Sequence, residues 1–226
     1  DPVTIGAMVG PEAFTEVRYL AHAKQLQALD LLPELAVEFQ QVFGRNSGGL
    51  IKPYHLEDAE TVVIALGSVL GTIKDTVDEM RAQGVKIGVL GITSFRPFPI
   101  EAIRAVTAHA KRIVVIEKCF AVGIGGIVSR DVRSAVQSRP QQVFAVVAGL
   151  GGRAITKASL HKLLLQAIED KLELLTFLDL DWGIVNRVLE REKQQRRSGP
   201  VAEGILRDIG TVSREAPATA LNRSER

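Results

Sequence analysis

The stretch EDAETVVIALGSVLGTIKDTVDEMRAQG, residues 57–84, decides the fold class. Its polar lead-in feeds an apolar, largely β-branched run at 61–66, then a turn bracketed by Gly67 and Gly71. After the turn, Ile73, Val77 and Met80 recur at intervals of three and four. A short run that is apolar on both faces suits a strand buried on both sides, as in a parallel sheet. The spacing beyond the turn stacks its apolar residues on one helix face and leaves Lys74, Asp75, Asp78, Glu79 and Arg81 in water. Strand, glycine turn and helix in this order open many ligand-binding α/β units.

The same alternation continues outward. Strands are expected at 85–90, 112–117 and 143–148, and helices at 71–82, 99–109, 125–137 and near 156–168. Their inward residues are Ile100, Ile103 and Val106, then Val128, Val132 and Val136, then Leu160, Leu163, Leu164 and Ala167. Alternation of this kind specifies an α/β domain over 58–190, an open, mostly parallel sheet with helices on both faces. Either Ser68 or a Thr72–Asp75 capping box is expected to start the helix at 71–82. A further short helix around Trp182, Val185, Val188 and Leu189 is expected to be capped by Asp179 or Asp181.

Two helices are expected ahead of the domain. The first runs from Pro11 with Phe14, Val17 and Ala21 on one stripe. The second starts at Pro33, carries Leu35, Phe39, Val42 and Phe43, and is ended by Gly44. Their stripes need a covering surface. GRNSGGLIKPY (44–54) reads as an ordered connector. Residues 191–226, charged at first and then poor in aromatics, read as a mobile tail or one laid across a partner.

Composition narrows the function. The 226 residues hold 28 basic and 26 acidic side chains, interspersed, so no basic face for nucleic acid is implied. Cys119 is the single cysteine; the chain can form no internal disulfide and cannot itself supply the thiolates of an iron–sulfur cluster. A reducing, cytoplasmic setting fits. No apolar run is long enough to cross a bilayer. The first residue, Asp1, follows no signal-like pattern, and the chain reads as a piece of a longer product.

Chemistry is sparse. GSVLGT (67–72) follows a strand and opens a helix, so Gly67, Ser68, Gly71 and Thr72 can present backbone amides to an anion or touch another subunit. The turn is neither GxGxxG nor a lysine-bearing phosphate loop, and plain turn geometry explains it as well. SFRPFP (94–99) makes a rigid corner that either is purely structural or holds Arg96 at the carboxyl ends of the strands. In EKCFAVGIGG (117–126), Gly123, Gly125 and Gly126 allow close approach of the next helix or of a ligand. Cys119 there is expected to be a small buried side chain, not a nucleophile. AGLGGR (148–153) repeats the glycine arrangement, with Arg153 a candidate to meet a carboxylate or phosphate, and Arg45 in the connector is a further contact candidate. The four histidines are scattered, so metal binding is not expected. No nucleophile elbow occurs. These residues describe glycine-rich loops on an α/β sheet without a catalytic machine.

With these motifs in view, IGAMVGPEAFTEVRY (5–19), FGRNSGGLIKPYHLEDAE (43–60), VVIALGSVLGTIKDTVDEMRAQGVKIGVLGITSFRPFP (62–99) and VVIEKCFAVGIGG (114–126) resemble the later part of the alpha component of the 2-oxoacid:ferredoxin oxidoreductases that act on pyruvate. The resemblance covers roughly residues 1–168. It implies a complex that converts pyruvate and CoA to acetyl-CoA and carbon dioxide and reduces ferredoxin through thiamine diphosphate and iron–sulfur clusters. It also implies that residues 1–57 close a preceding thiamine-binding-type domain and its connector, and that 58–190 resemble the C-terminal domain of transketolase. That domain is largely architectural, so no catalytic residue and no cofactor bound by this chain alone are expected. Its partners would be the other subunits, with ferredoxin as acceptor. The chain departs from the family in lacking its front and in a tail that follows no family pattern. The alternative is a free-standing binding or assembly module of the same fold.

Overall fold

The structure is a computed structural model, and it describes residues 8–137, 139–195, 204–206 and 209–210. The chain divides into two compact units, Asp1–Leu178 and Asp179–Arg226. Most of the tail after residue 195 lies outside the described residues, as does the beginning of the chain up to residue 7.

The first unit is built on a six-stranded sheet in the order β1-β3-β2-β4-β5-β6. Its strands are β1 (Ile51–Tyr54), β2 (Thr61–Ala65), β3 (Ile87–Ile92), β4 (Arg112–Glu117), β5 (Gln142–Val147) and β6 (Leu175–Phe177). All neighbours run parallel except β1, which lies antiparallel on β3 with Ile51 opposite Ile92 and Pro53 opposite Leu90. The open, mostly parallel α/β sheet read from the sequence is therefore present. The four apolar runs became its four central strands because every residue of β2 and β3 is buried, as both-face burial requires.

Helices α2 (Val69–Ala82), α3 (Ile100–Val106), α4 (Val128–Val136) and α5 (Lys157–Ile168) cover both faces. Alternation along β2 sends Val63 and Ala65 to one face, where Ile73, Val77 and Met80 of α2 and Leu160, Leu163 and Leu164 of α5 meet them. Val62 and Ile64 face the other way, onto Ile103 of α3 and Val128, Val132 and Val136 of α4. Each such aliphatic side chain stabilises the fold by about 1.5–3 kcal/mol when fully buried.

Several expectations need correction. The two leading helices are one, α1 (Phe14–Phe43), which is 30 residues long and runs through Pro33. The proline removes the bond to the Leu29 carbonyl and its ring crowds that carbonyl, a cost of about 3 kcal/mol that the helix carries without ending there. Gly44 does end the helix, left-handed at φ 68, with its amide on the Gln40 carbonyl at 2.8 Å. The connector contributes β1, and the segment after 172 contributes β6. Ile100 is 38% exposed because it sits in the first turn of α3, off the buried stripe. Neither proposed cap of α2 forms. Ser68 stands at the cap position without a side-chain bond, and the Thr72 carbonyl instead accepts the Thr76 hydroxyl at 2.8 Å.

In the second unit, α6 (Trp182–Gln195) begins where the Asp181 carboxylate accepts the Ile184 amide at 3.0 Å, so Asp181 makes the expected cap.

Candidate functional site

Numbered from β2, the parallel strands follow the order 2-1-3-4-5, so chain direction across the sheet reverses between β2 and β4. Open α/β sheets place ligands in the crevice beyond the carboxyl ends of the strands at such a reversal. A cleft of about 490 Å³ lies there. The turn after β2 contributes Leu66, Gly67 and Ser68 to its wall and the start of α2 Val69 and Thr72; the end of β4 and the residues just past it contribute Ile116, Glu117, Lys118 and Cys119; and the loop after β5 contributes Gly149, Gly152, Arg153 and Ile155.

The glycines shape this wall. Gly67 turns the chain at φ 84, and Gly149 does so at φ 75 with the Ile155 side chain closing over it, only 3.1 Å from where a Cβ would stand. The first turn of α2 holds no acidic residue, so the positive end of that helix is not neutralised by a carboxylate of its own. Lys118 and Arg153 share the cleft with it.

The N-terminus of α4 is treated differently. Glu117 is 5% exposed, and its carboxylate accepts the amides of Ile127 and Val128, both at 2.7 Å, and of Ser129 at 3.0 Å. One side chain thus satisfies three of the amides a helix start leaves unpaired and places negative charge at its positive end. Among the described residues that line the cleft, Glu117 is the one acid and is committed to this bonding, while Lys118 and Arg153 are the basic residues.

The structure brings Gly67, Ser68, Thr72 and Arg153 together in this cleft and leaves the other sequence candidates outside its lining. Gly71 lies within α2 over open space. Gly126 packs on Glu117, Gly125 bridges to Ala121 beside Leu175, and Gly123 borders open space. Arg96 donates to Asp131 at 2.7 Å and lies 4.1 Å over the Phe95 ring, tying the proline corner to the first turn of α4. Arg45 sits over Phe39 at 5.6 Å, at the far end of α1.

Cys119 corrects its expectation. It is exposed, because β4 ends at Glu117 and the next two residues project past the sheet into the cleft wall. Sequence reasoning also passed over Glu117 and Lys118 as site residues. The available signal was an acid ending an otherwise apolar strand, ten residues ahead of a helix start that has no capping side chain of its own. Among the described residues no group of three His, Cys, Asp or Glu side chains could hold a metal ion, and no helix is long and apolar enough to cross a membrane.

Residues 59–160, most of the sheet and the whole cleft, match the family described as pyruvate:ferredoxin oxidoreductase core domain II. The chain is 42% identical over 167 residues to pyruvate synthase subunit PorA of Methanosarcina barkeri, covering 73% of this chain and 42% of that protein. It is 33% identical over 159 residues to ketoisovalerate oxidoreductase subunit VorA of Pyrococcus horikoshii, covering 69% of this chain and 40% of that one. A solved split-gene transketolase shares 15% identity over 51% of this chain and 40% of that chain at a TM-score of 0.38, a likeness too low to argue from. The α/β unit is thus a 2-oxoacid:ferredoxin oxidoreductase domain. Through it, the chain belongs to the pyruvate:ferredoxin oxidoreductase family as an alpha-type component, spanning about two fifths of the length of these relatives.

Proposed function

We propose that this chain is the architectural part of a thiamine-dependent enzyme that converts pyruvate and CoA to acetyl-CoA and carbon dioxide and passes the electrons to ferredoxin. The match of residues 59–160 to core domain II, together with 42% identity to a pyruvate synthase subunit, carries this reading. The residues support an architectural role. A single cysteine cannot ligate an iron–sulfur cluster, and the cleft offers no base paired with a nucleophile, so the chain's own side chains do not fit the cluster and no redox step is assigned to them. The thiamine and cluster sites belong to other domains or subunits of a cytoplasmic assembly. The cleft at the strand ends is the point of contact, receiving an anionic group of a companion subunit or of CoA against Lys118, Arg153 and the start of α2.

Reconstitution tests the reading. The pure chain should not reduce a viologen dye with pyruvate and CoA, and mixing it with its thiamine- and cluster-bearing companions should restore pyruvate-dependent reduction that disappears when this chain is left out. Turnover by the chain alone, or full activity without it, overturns the proposal. Likeness to a ketoisovalerate oxidoreductase subunit makes ketoisovalerate the second substrate to assay.

A further inference from the structure

Glu117 ends β4, and three parts of the domain meet on it. Along the chain it leads directly into Lys118 and Cys119. Its backbone carbonyl accepts the Ala148 amide at 2.9 Å, where β5 gives way to the loop that carries Arg153. Its carboxylate reaches the amides of Ile127, Val128 and Ser129, between 10 and 12 residues further on. The segment 118–126 therefore leaves Glu117 by the backbone and returns to it by the side chain. Within that segment Ala121 and Gly125 exchange two backbone bonds, of 2.8 and 2.9 Å, which closes its tip.

The carboxylate is what holds the return. Val128 and Ser129 are buried, and Ile127, at the cap position of α4, supplies no side-chain bond of its own. Without an acceptor these amides would be unpaired in the interior, so the helix start would have to shift until water reached it. Bonds to a carboxylate are about twice as strong as bonds between neutral groups, and burial keeps water from competing for them.

We propose that Glu117 is the positioning residue of the cleft. Its carboxylate fixes the loop that presents Lys118, and its carbonyl fixes the start of the loop that presents Arg153. The two basic residues of the cleft are thus set in register with each other through a single residue, which itself meets no ligand. The consequence for activity rests on the proposed function; the consequence for the loop does not.

Amide hydrogen exchange of the full 226-residue chain tests the geometry. Glu117→Gln keeps the shape but turns an amide NH2 toward other donors, and Glu117→Asp keeps the charge but falls one methylene short. In both, the amides of 118–129 should exchange about tenfold faster or more, while those of β2 and α5 keep the parent rates. Asp170→Asn, which breaks a pair at the opposite end of β4, should leave 118–129 as in the parent. In the reconstituted oxidoreductase each Glu117 variant should lose about as much activity as Lys118→Glu, about tenfold. Unchanged exchange in 118–129, or acceleration spread evenly over the domain, overturns the proposal. So does full activity of both Glu117 variants where Lys118→Glu is impaired. If Lys118→Glu is itself fully active, the reading of the cleft as a contact fails, and the exchange rates alone decide whether Glu117 holds the loop.

Discussion

Glu117 and Gly126 compete for the same space: a Cβ on residue 126 would stand 1.9 Å from Glu117 Oε1 and 2.6 Å from the Ser129 hydroxyl oxygen. Glycine at 126 is thus what lets the carboxylate reach the start of α4. Gly126→Ala should destabilise the domain by about 1–3 kcal/mol through overpacking, read as a lower urea midpoint. Ser129→Ala is the control. The Ser129 hydroxyl is buried without a partner among the described residues, so its removal should leave stability unchanged or slightly raised.

Gly88, the second residue of β3, meets backbone, with the His55 carbonyl oxygen 2.2 Å from where its Cβ would be. Backbone cannot rotate away as a side chain can. Gly88→Ala should therefore cost about 1–3 kcal/mol, visible as a melting temperature lower than that of Gly71→Ala, whose Cβ would enter open space.

Arg112 at the start of β4 holds Asp170, just past α5, through two bonds of 2.7 Å. Bonding to the guanidinium, reinforced by its charge, keeps the Asp170 carboxyl below the usual aspartate value of 3.8. A depressed carboxyl contributes stability above its unfolded value and loses it as pH falls through the folded one. The melting-temperature gap between the parent chain and Asp170→Asn should thus be steady near neutrality and close below about pH 4. A gap that widens on acidification contradicts the assignment.

Lys118 lines the cleft from beyond the sheet and is exposed. Lys118→Glu should leave thermal stability within about 0.5 kcal/mol of the parent. In the reconstituted oxidoreductase it should lower activity about tenfold or more, the loss of one charge-assisted contact. Unchanged activity would remove the cleft from the proposed contact surface.

Cys119 should react with Ellman's reagent in the native chain at the rate of a free thiol, without denaturant, because it is exposed.

The central sheet was legible because 61–66, 85–90, 112–117 and 143–148 are mostly apolar on both faces, as buried parallel strands require. β1 was not, since IKPY contains Pro53 and exposes its two middle residues, and β6 was not, since its three residues are only partly buried. Pro33 was overvalued as a break, since proline is at home in the first turn of a helix but can also be carried inside one, as it is in α1. Within the site, the Gly67 turn and Arg153 could be read from glycine punctuation. The role of Glu117 could not, because its partners are backbone amides, which carry no letter in a sequence.

The outer strand β1 carries Pro53 in a four-residue run flanked by the exposed Lys52. Proline offers no amide hydrogen, so the rim it forms cannot serve as a template for another β-ribbon. Fibril-like growth and strand exchange are disfavoured along that margin.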